Sequence, residues 1–137
     1  MSRLASGLSI VVDEAEDIAR FLTSSSHYSR TTVKPNAFLP SPKDRETSVF
    51  RHGPLPYEGL WICAEKASGG RSLHGAAFIK ARDVLLAGLS VHPDEPPDRH
   101  AVIRGWYWNE SNELEQKAQQ KLTALLLSSA AGVPEFC

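Results

Sequence analysis

The pattern of apolar and polar positions along the chain changes period several times, which predicts a protein with both helices and strands. In VVDEAEDIARFLTSSS (residues 11–26), Ala15, Ile18, Ala19 and Leu22 fall on one face of a helix. Three consecutive serines then end the apolar run. This spacing predicts a first, short helix.

Short runs of β-branched and aromatic residues predict several strands. They are TSVFR (47–51), SLHGAAFIKA (72–81), LSV (89–91) and HAVIRGWYW (100–108). Two further segments have helical spacing and end at glycine, PLPYEGLWICAEKASGG (54–70) and ARDVLLAG (81–88). Proline-rich stretches at 35–42 and 93–97 favour surface loops between these elements.

The strongest helical pattern spans residues 109–132 near the end of the chain. Its acidic first turn suits the positive end of the helix dipole, and Gly132 and Pro134 end it. An apolar stripe runs along it, formed by Leu114, Ala118, Leu122, Leu125 and Leu126. The stripe has two interpretations: its residues pack on the sheet, or they bind a partner protein.

These elements predict a small single α+β domain covering residues 1–137, with flexible ends at 1–8 and 133–137. We expect a short mixed or antiparallel sheet, packed by a long C-terminal helix and two shorter helices. No repeat, low-complexity segment or domain boundary interrupts the sequence.

Composition and charge narrow the class of protein. Fifteen basic and sixteen acidic residues give a formal charge of −1, which argues against binding to nucleic acid or anionic lipid by bulk charge. No apolar run reaches the roughly 18 residues of a membrane span, and the N-terminus lacks a secretory apolar region. Cys63 and Cys137 are not in a zinc-binding spacing, and Cys63 is predicted to be a buried structural thiol. We expect a cytoplasmic, bacterial protein.

Histidine and arginine provide the candidate catalytic chemistry. Cleavage of a phosphate ester needs a base, an acid and a cation that holds the phosphate. Three histidines at predicted strand ends and two neighbouring arginines have these properties: His52, His74, His100, Arg51 and Arg99. The alternative is that each histidine is separately hydrogen-bonded and has no common site.

A second group follows the proline-rich segment HPDEPPDRHAVIRGW (92–106). Arg104, Trp106 and Trp108 are candidate ligand-binding residues, because a guanidinium and stacked indoles can hold a base or a sugar. Histidines and aspartates in this segment are spread along an extended path, so no metal site and no cofactor are predicted.

Three functions follow as hypotheses. The first is a non-enzymatic protein-binding or accessory module, acting through a protein partner or as a homo-oligomer. The second is a metal-independent enzyme that uses histidine and arginine on a phosphate-containing substrate, as a ribonuclease does. The third is a nucleic-acid-binding module with a local arginine patch; no membrane association is expected.

Overall fold

One six-stranded antiparallel sheet forms the centre of the fold, in the order β4-β5-β2-β1-β3-β6. This computed structural model describes residues 3–52, 60–62, 64–65 and 71–136. The strands are β1 (Asp17–Leu22), β2 (Thr47–Arg51), β3 (Gly75–Lys80), β4 (Ser90–Pro93), β5 (His100–Arg104) and β6 (Glu135–Phe136). The predicted α+β class and the single domain are therefore confirmed.

Two helices have complete bounds, α1 (Ala81–Leu86) and the long C-terminal α2 (Glu113–Ala131). Short 3-10 turns cover Ser25–His27 and Pro35–Ala37. The predicted helix over 54–70 is confirmed at residues 60–62 and 64–65, and its other positions, including Cys63, lie outside the described residues. Cys137 lies outside them as well.

The predicted first helix is wrong, because residues 17–22 form β1. This strand lies inside the sheet and pairs with β2 on one side and β3 on the other. Ile18 and Ala19 are consecutive in the chain and both fully buried, so both faces of the strand are covered there. A strand buried on both faces loses the apolar–polar alternation that would distinguish it from a helix.

The interpretation of the α2 leucine stripe as the face docked on the sheet is also wrong. Leu114 and Leu122 are 84% and 60% exposed, and Leu125 and Leu126 are exposed as well. The buried face of α2 instead carries Gln120, Ala124, Leu127 and Ser128. A helix with apolar residues on two faces cannot be oriented from its period alone.

Both helices pack on one face of the sheet. Alternate residues of the strands point to this face, and together with residues of the helices and loops they form the main buried cluster. It includes Ile18, Leu22, Val49, Ile79, Ile103, Phe38, Trp106, Ala124 and Leu127. The opposite face carries Phe21, Phe50 and His100 in a row across three strands, and this face bears the candidate site.

The ends of the described chain make specific contacts. Arg3 and Ser9 form an isolated antiparallel bridge, and Ser6 donates two hydrogen bonds to the carboxylate of Glu95. Near the C-terminus, β6 adds a two-residue strand to the edge of the sheet. Among the described residues, no helix is both long and apolar enough to cross a membrane.

Candidate functional site

A cleft opens on the outer face of the sheet, where β1 and β2 diverge. The two strands are paired only at Ile18–Arg51 and Ala19–Phe50, so their other ends separate. Two adjoining cavities of about 210 Å³ and 400 Å³ lie at this opening. Both are lined by Arg20, Ser48, Arg71 and His100, and we call these four residues the cleft residues.

Arg20 holds the diverging strands together through its guanidinium. Its Nε donates to the carbonyl oxygen of Ala37 at 2.6 Å, and its Nη1 donates to the carbonyl oxygen of Ser48 at 2.8 Å. In the part of the chain that the structure describes, no carboxylate forms an ion pair with Arg20. Burial, and then the charge of Arg71, lower the pKa of Arg20 to about 10. The side chain therefore remains a cation at neutral pH and can attract an anion.

His100 lies beside Ser48 and has both ring nitrogens in hydrogen bonds. Its Nε2 is 2.6 Å from the Ser48 hydroxyl oxygen. Its Nδ1 is 2.9 Å from the carbonyl oxygen of Asp94 and 3.2 Å from the Asp94 carboxylate. Because a carbonyl only accepts, Nδ1 carries the proton, and Nε2 of the neutral ring accepts from Ser48. This is the tautomer that a general base needs.

Two phenylalanines form an apolar wall of the smaller cavity. The rings of Phe21 and Phe50 are stacked with their centroids 5.0 Å apart, and the His100 ring meets Phe50 edge-on at 5.2 Å. Thr23 and Pro97 also line it, together with the cleft residues. The smaller cavity thus combines two guanidinium groups with an aromatic surface, and among the described residues that line it none is a carboxylate.

Positive charge extends from the cleft toward His27. The backbone N–H of Thr23 donates to His27 Nδ1 at 3.3 Å. Burial lowers the pKa of His27, and the charges of Arg20, His74 and Arg71 lower it further. Part of the lowering of the His27 pKa therefore depends on the charge of these arginines, and an anion that neutralises them would reduce that part.

The three predicted catalytic histidines have different surroundings, and the cleft lining includes His100 but neither of the others. His74 Nδ1 is 2.7 Å from the Tyr28 hydroxyl, with the two rings edge to face. His52 is buried and its ring lies 5.1 Å from that of Phe78, centroid to centroid. His52 and His74 therefore do not line the cleft.

The two predicted catalytic arginines have structural contacts. Arg51 is 1% exposed and its guanidinium donates to both carboxylate oxygens of Glu16 and to the carbonyl of Ser9. Arg99 has a left-handed backbone with φ of 69°; its N–H donates to Glu95 and its carbonyl accepts from the Arg51 N–H. Neither residue lines the two cavities of the cleft.

The predicted ligand-binding residues are also separate from the cleft. Trp106 is buried in the core cluster. Trp108 lies under the guanidinium of Arg45, 4.7 Å from ring centroid to carbon, and Arg104 forms an ion pair with Glu46. The predicted strand that would place the tryptophans together ends at Arg104, before Gly105 with φ of 102°.

Arg20 and Ser48 were not predicted as site residues. Arg20 was hidden inside the expected first helix, and Ser48 inside a strand whose partner was unknown. The ladder that pairs Ser48 with Val102 and Phe50 with His100 places Ser48 and His100 on one face of adjacent strands. A lone arginine among the apolar residues of IARFL (18–22) was the available signal for Arg20.

Within the described residues, no three His, Cys, Asp or Glu side chains are grouped so that they could hold a metal ion. Comparison with protein-family models, with curated proteins and with solved structures gives no match to this chain. The functional argument therefore rests on the geometry of the cleft.

Proposed function

We propose that this protein is an enzyme that acts on a phosphate-containing substrate in the cleft, with His100 as the general base. The observation that carries the proposal is the contact of His100 Nε2 with the Ser48 hydroxyl at 2.6 Å, in a cleft lined by two arginines. A base of this kind accepts the proton of an attacking hydroxyl group.

The arginines favour phosphate as the group that binds. A guanidinium is a planar, delocalised cation whose N–H groups match the oxygens of a phosphate, and it stabilises charge that develops during phosphoryl transfer. Arg20 has backbone carbonyls as its hydrogen-bond partners and keeps its full charge. The larger cavity also includes Asp44, Glu46 and Asp94, so the anion is better accommodated in the smaller one.

The aromatic wall favours a substrate with an apolar or planar leaving group. The stacked rings of Phe21 and Phe50 border the smaller cavity beside the cleft residues. An aryl group or a nucleobase can pack against such a surface while its phosphate contacts the arginines. Aryl phosphate monoesters and diesters are therefore suitable first substrates.

The test combines turnover of 4-nitrophenyl phosphate and bis(4-nitrophenyl) phosphate with an NMR titration of the imidazole signals by inorganic phosphate. We expect His100→Gln to lower kcat/KM by about 10²-fold or more.

Phosphate should raise the pKa of His27, because it neutralises the arginine charge that, after burial, lowers that pKa. Arg20→Lys should weaken both effects, whereas the matched variant Arg82→Lys, at an exposed position of α1, should leave them unchanged. Absence of both turnover and a phosphate-dependent shift would contradict the proposal.

A second candidate function, protein binding, is favoured by an uncovered apolar surface on the helices. Leu85 and Leu86 of α1 and Leu122, Leu125 and Leu126 of α2 are exposed. A concavity of about 170 Å³ lies between the helices, lined by Asp83, Leu86, Ala87, Leu126 and Ala130. Exposed apolar patches of this kind commonly bind proteins.

The occupant we propose for this surface is a second copy of the chain. An isologous dimer needs one surface that carries both protruding groups and a matching hollow, and here exposed leucines border a concavity. Residues 122–134 include no charged residue, so the α2 part of this surface has no like charges that would repel a second copy.

Sedimentation equilibrium over a range of protein concentrations tests this second candidate. We expect a concentration-dependent dimer that Leu126→Lys dissociates and that the matched loop variant Thr31→Lys retains. A monomer at every concentration, or a different protein bound to this surface, would overturn self-association.

A further inference from the structure

We propose that Ser48 is the nucleophile of the cleft and that the reaction passes through a covalent phosphoryl-serine intermediate. The inference rests on the proposed function and makes its mechanism specific. The sequence alone did not indicate a role for the Ser48 hydroxyl group.

The position of Ser48 suits a nucleophile. Its side chain is exposed on the outer face of β2, whereas its neighbours Thr47 and Val49 are buried on the other face. Ser48 and His100 are held by the paired strands β2 and β5, which fixes the direction from the hydroxyl to the base. A site carried by paired strands keeps its geometry better than one carried by loops.

The contacts of His100 complete the arrangement. On one side its Nε2 accepts from Ser48, and on the other its Nδ1 faces the carbonyl and the carboxylate of Asp94. When Nε2 takes a proton, the nearby carboxylate stabilises the imidazolium ion. A serine hydroxyl, a histidine base and a group that orients the base, here the backbone carbonyl of Asp94, follow one another as in nucleophilic hydrolases.

Arg20 places a cation beside the nucleophile. Its Nη1 is 2.8 Å from the carbonyl oxygen of Ser48, so the guanidinium is hydrogen-bonded to the residue that carries the nucleophilic hydroxyl. Arg71 lines the same cavity. A phosphoryl group transferred to Ser48 would therefore lie within the field of these cations, which stabilises its oxygens.

The reaction balances with water as the second substrate. The Ser48 oxygen attacks phosphorus while His100 Nε2 takes the hydroxyl proton, and the bond from phosphorus to the leaving oxygen breaks. The leaving oxygen departs on the opposite side of phosphorus, in line with the attack, and takes a proton from solvent. Water then attacks the phosphoryl-serine and releases a proton to solvent, while His100 returns the proton that it took to the Ser48 oxygen. The products of a monoester are an alcohol and inorganic phosphate.

The test is to trap the intermediate on the full chain. The protein is mixed with 4-nitrophenyl phosphate and quenched rapidly with acid, and mass spectrometry locates the added phosphoryl group. We expect it on Ser48, and we expect Ser48→Ala to abolish it and to lower kcat by about 10³-fold or more. Binding of inorganic phosphate, followed by NMR, should remain in this variant.

Ser90 provides a matched control within the same sheet. Its hydroxyl oxygen is 2.8 Å from His92 Nε2, so it forms a second exposed serine–histidine pair, but it lies outside the lining of the cleft. Ser90→Ala should retain both the trapped phosphoryl group and the turnover.

The other outcomes separate the two proposals. If Ser48→Ala turns over normally while His100→Gln does not, water is the nucleophile and the inference on Ser48 is overturned, but the proposed function stands. A phosphoryl group on a different residue overturns the inference in the same way. If the wild-type protein neither binds phosphate nor turns over, the proposed function fails as well.

Discussion

Arg51 and Arg20 belong to neighbouring strands, but their charges have different partners. Arg51 is buried, and its guanidinium makes two hydrogen bonds to the Glu16 carboxylate at 2.6 and 3.0 Å. Arg20 donates to backbone carbonyls and lines an open cleft. The charge of Arg51 is thus neutralised within the fold, whereas that of Arg20 can act on a ligand.

Removal of the Arg51 side chain should destabilise the protein strongly, because it leaves the Glu16 carboxylate without its partner. For Arg51→Ala we expect the free energy of unfolding to fall by about 3–5 kcal/mol, as measured by urea denaturation. Arg82→Ala, at an exposed position, should change it by less than about 0.5 kcal/mol. Equal small effects of the two variants would contradict a structural role for the Arg51–Glu16 pair.

Residue types in the sequence predicted part of the site. His100 was a candidate because histidine and arginine at strand ends suit phosphate chemistry, and it does line the cleft. Arg51 was a candidate by the same argument, and Trp106 was a candidate because an indole can stack on a ligand, but both side chains are buried. The residue type shows which side chains can take part in catalysis or binding. Burial decides which of them a ligand can reach, and burial depends on strand pairing.

For α2, the sequence predicted the helix correctly but predicted the wrong face for its contact with the sheet. The helix was predicted and is present at Glu113–Ala131, but its leucine-rich stripe faces away from the core. The smaller apolar face, with Ala124 and Leu127, packs in the core. Small residues let a helix approach a sheet closely. The spacing of apolar residues in the sequence does not show which face of the helix does so.

Paired substitutions on α2 test this orientation. Leu127→Ala should lower the free energy of unfolding by about 2–5 kcal/mol, because it leaves a cavity in the core. Leu122→Ala, on the exposed face, should change it by less than about 0.5 kcal/mol. Urea denaturation of the two variants at a concentration where the protein is monomeric provides the measurement. A larger loss for Leu122→Ala would reverse the assignment of the two faces.

The residues of β1 were predicted to form a helix for a related reason. Its apolar residues satisfy a helical period, and its position between β2 and β3 requires burial on both faces. The partner strands are distant in the chain, so the residues of β1 alone give no sign of them. Strands with a clearer β composition, such as β2 and β5, were assigned correctly.

At the scale of the whole molecule, two of the described groups link stability to pH on the acidic side of neutrality. Burial first, and then the charges of Arg20, His74 and Arg71, lower the pKa of His27 below its ordinary value of 6.5. Burial alone would raise the pKa of Glu95, but hydrogen bonds from Ser6 and Arg99 and the charge of Arg51 lower it below 4.5. In both cases the folded protein binds a proton less readily than the unfolded chain does.

Stability should therefore decrease as the solution becomes more acidic. The contribution of His27 is present above pH 6.5 and is lost as the pH falls from 6.5 through its lowered pKa. The contribution of Glu95 is lost in the same way below pH 4.5. Urea denaturation between about pH 8 and about pH 3 measures both contributions. His27→Gln should remove the slope that begins near 6.5 and retain the one below 4.5; an unchanged upper slope would contradict the assignment.

The class of the fold was predictable because it depends on which elements are present. The order of the strands was not, because it depends on contacts between distant segments. Phe50 pairs with His100, 50 positions later, and Ala19 pairs with Phe78, 59 positions later. The cleft forms between strands that this order brings together, and for that reason its position could not be predicted either.

The same strand order has a consequence for the time that folding takes. Only the β4–β5 ladder, among those described, is closed by a short connection, at residues 94–99. The central ladders require the chain to close long loops before their contacts can stabilise it, and such topologies fold in milliseconds to seconds rather than microseconds. We therefore expect slow refolding, and the three cleft residues that lie in strands, Arg20 of β1, Ser48 of β2 and His100 of β5, will meet only when the central ladders have formed. In a newly made chain, any activity of the cleft would thus appear among the last properties acquired.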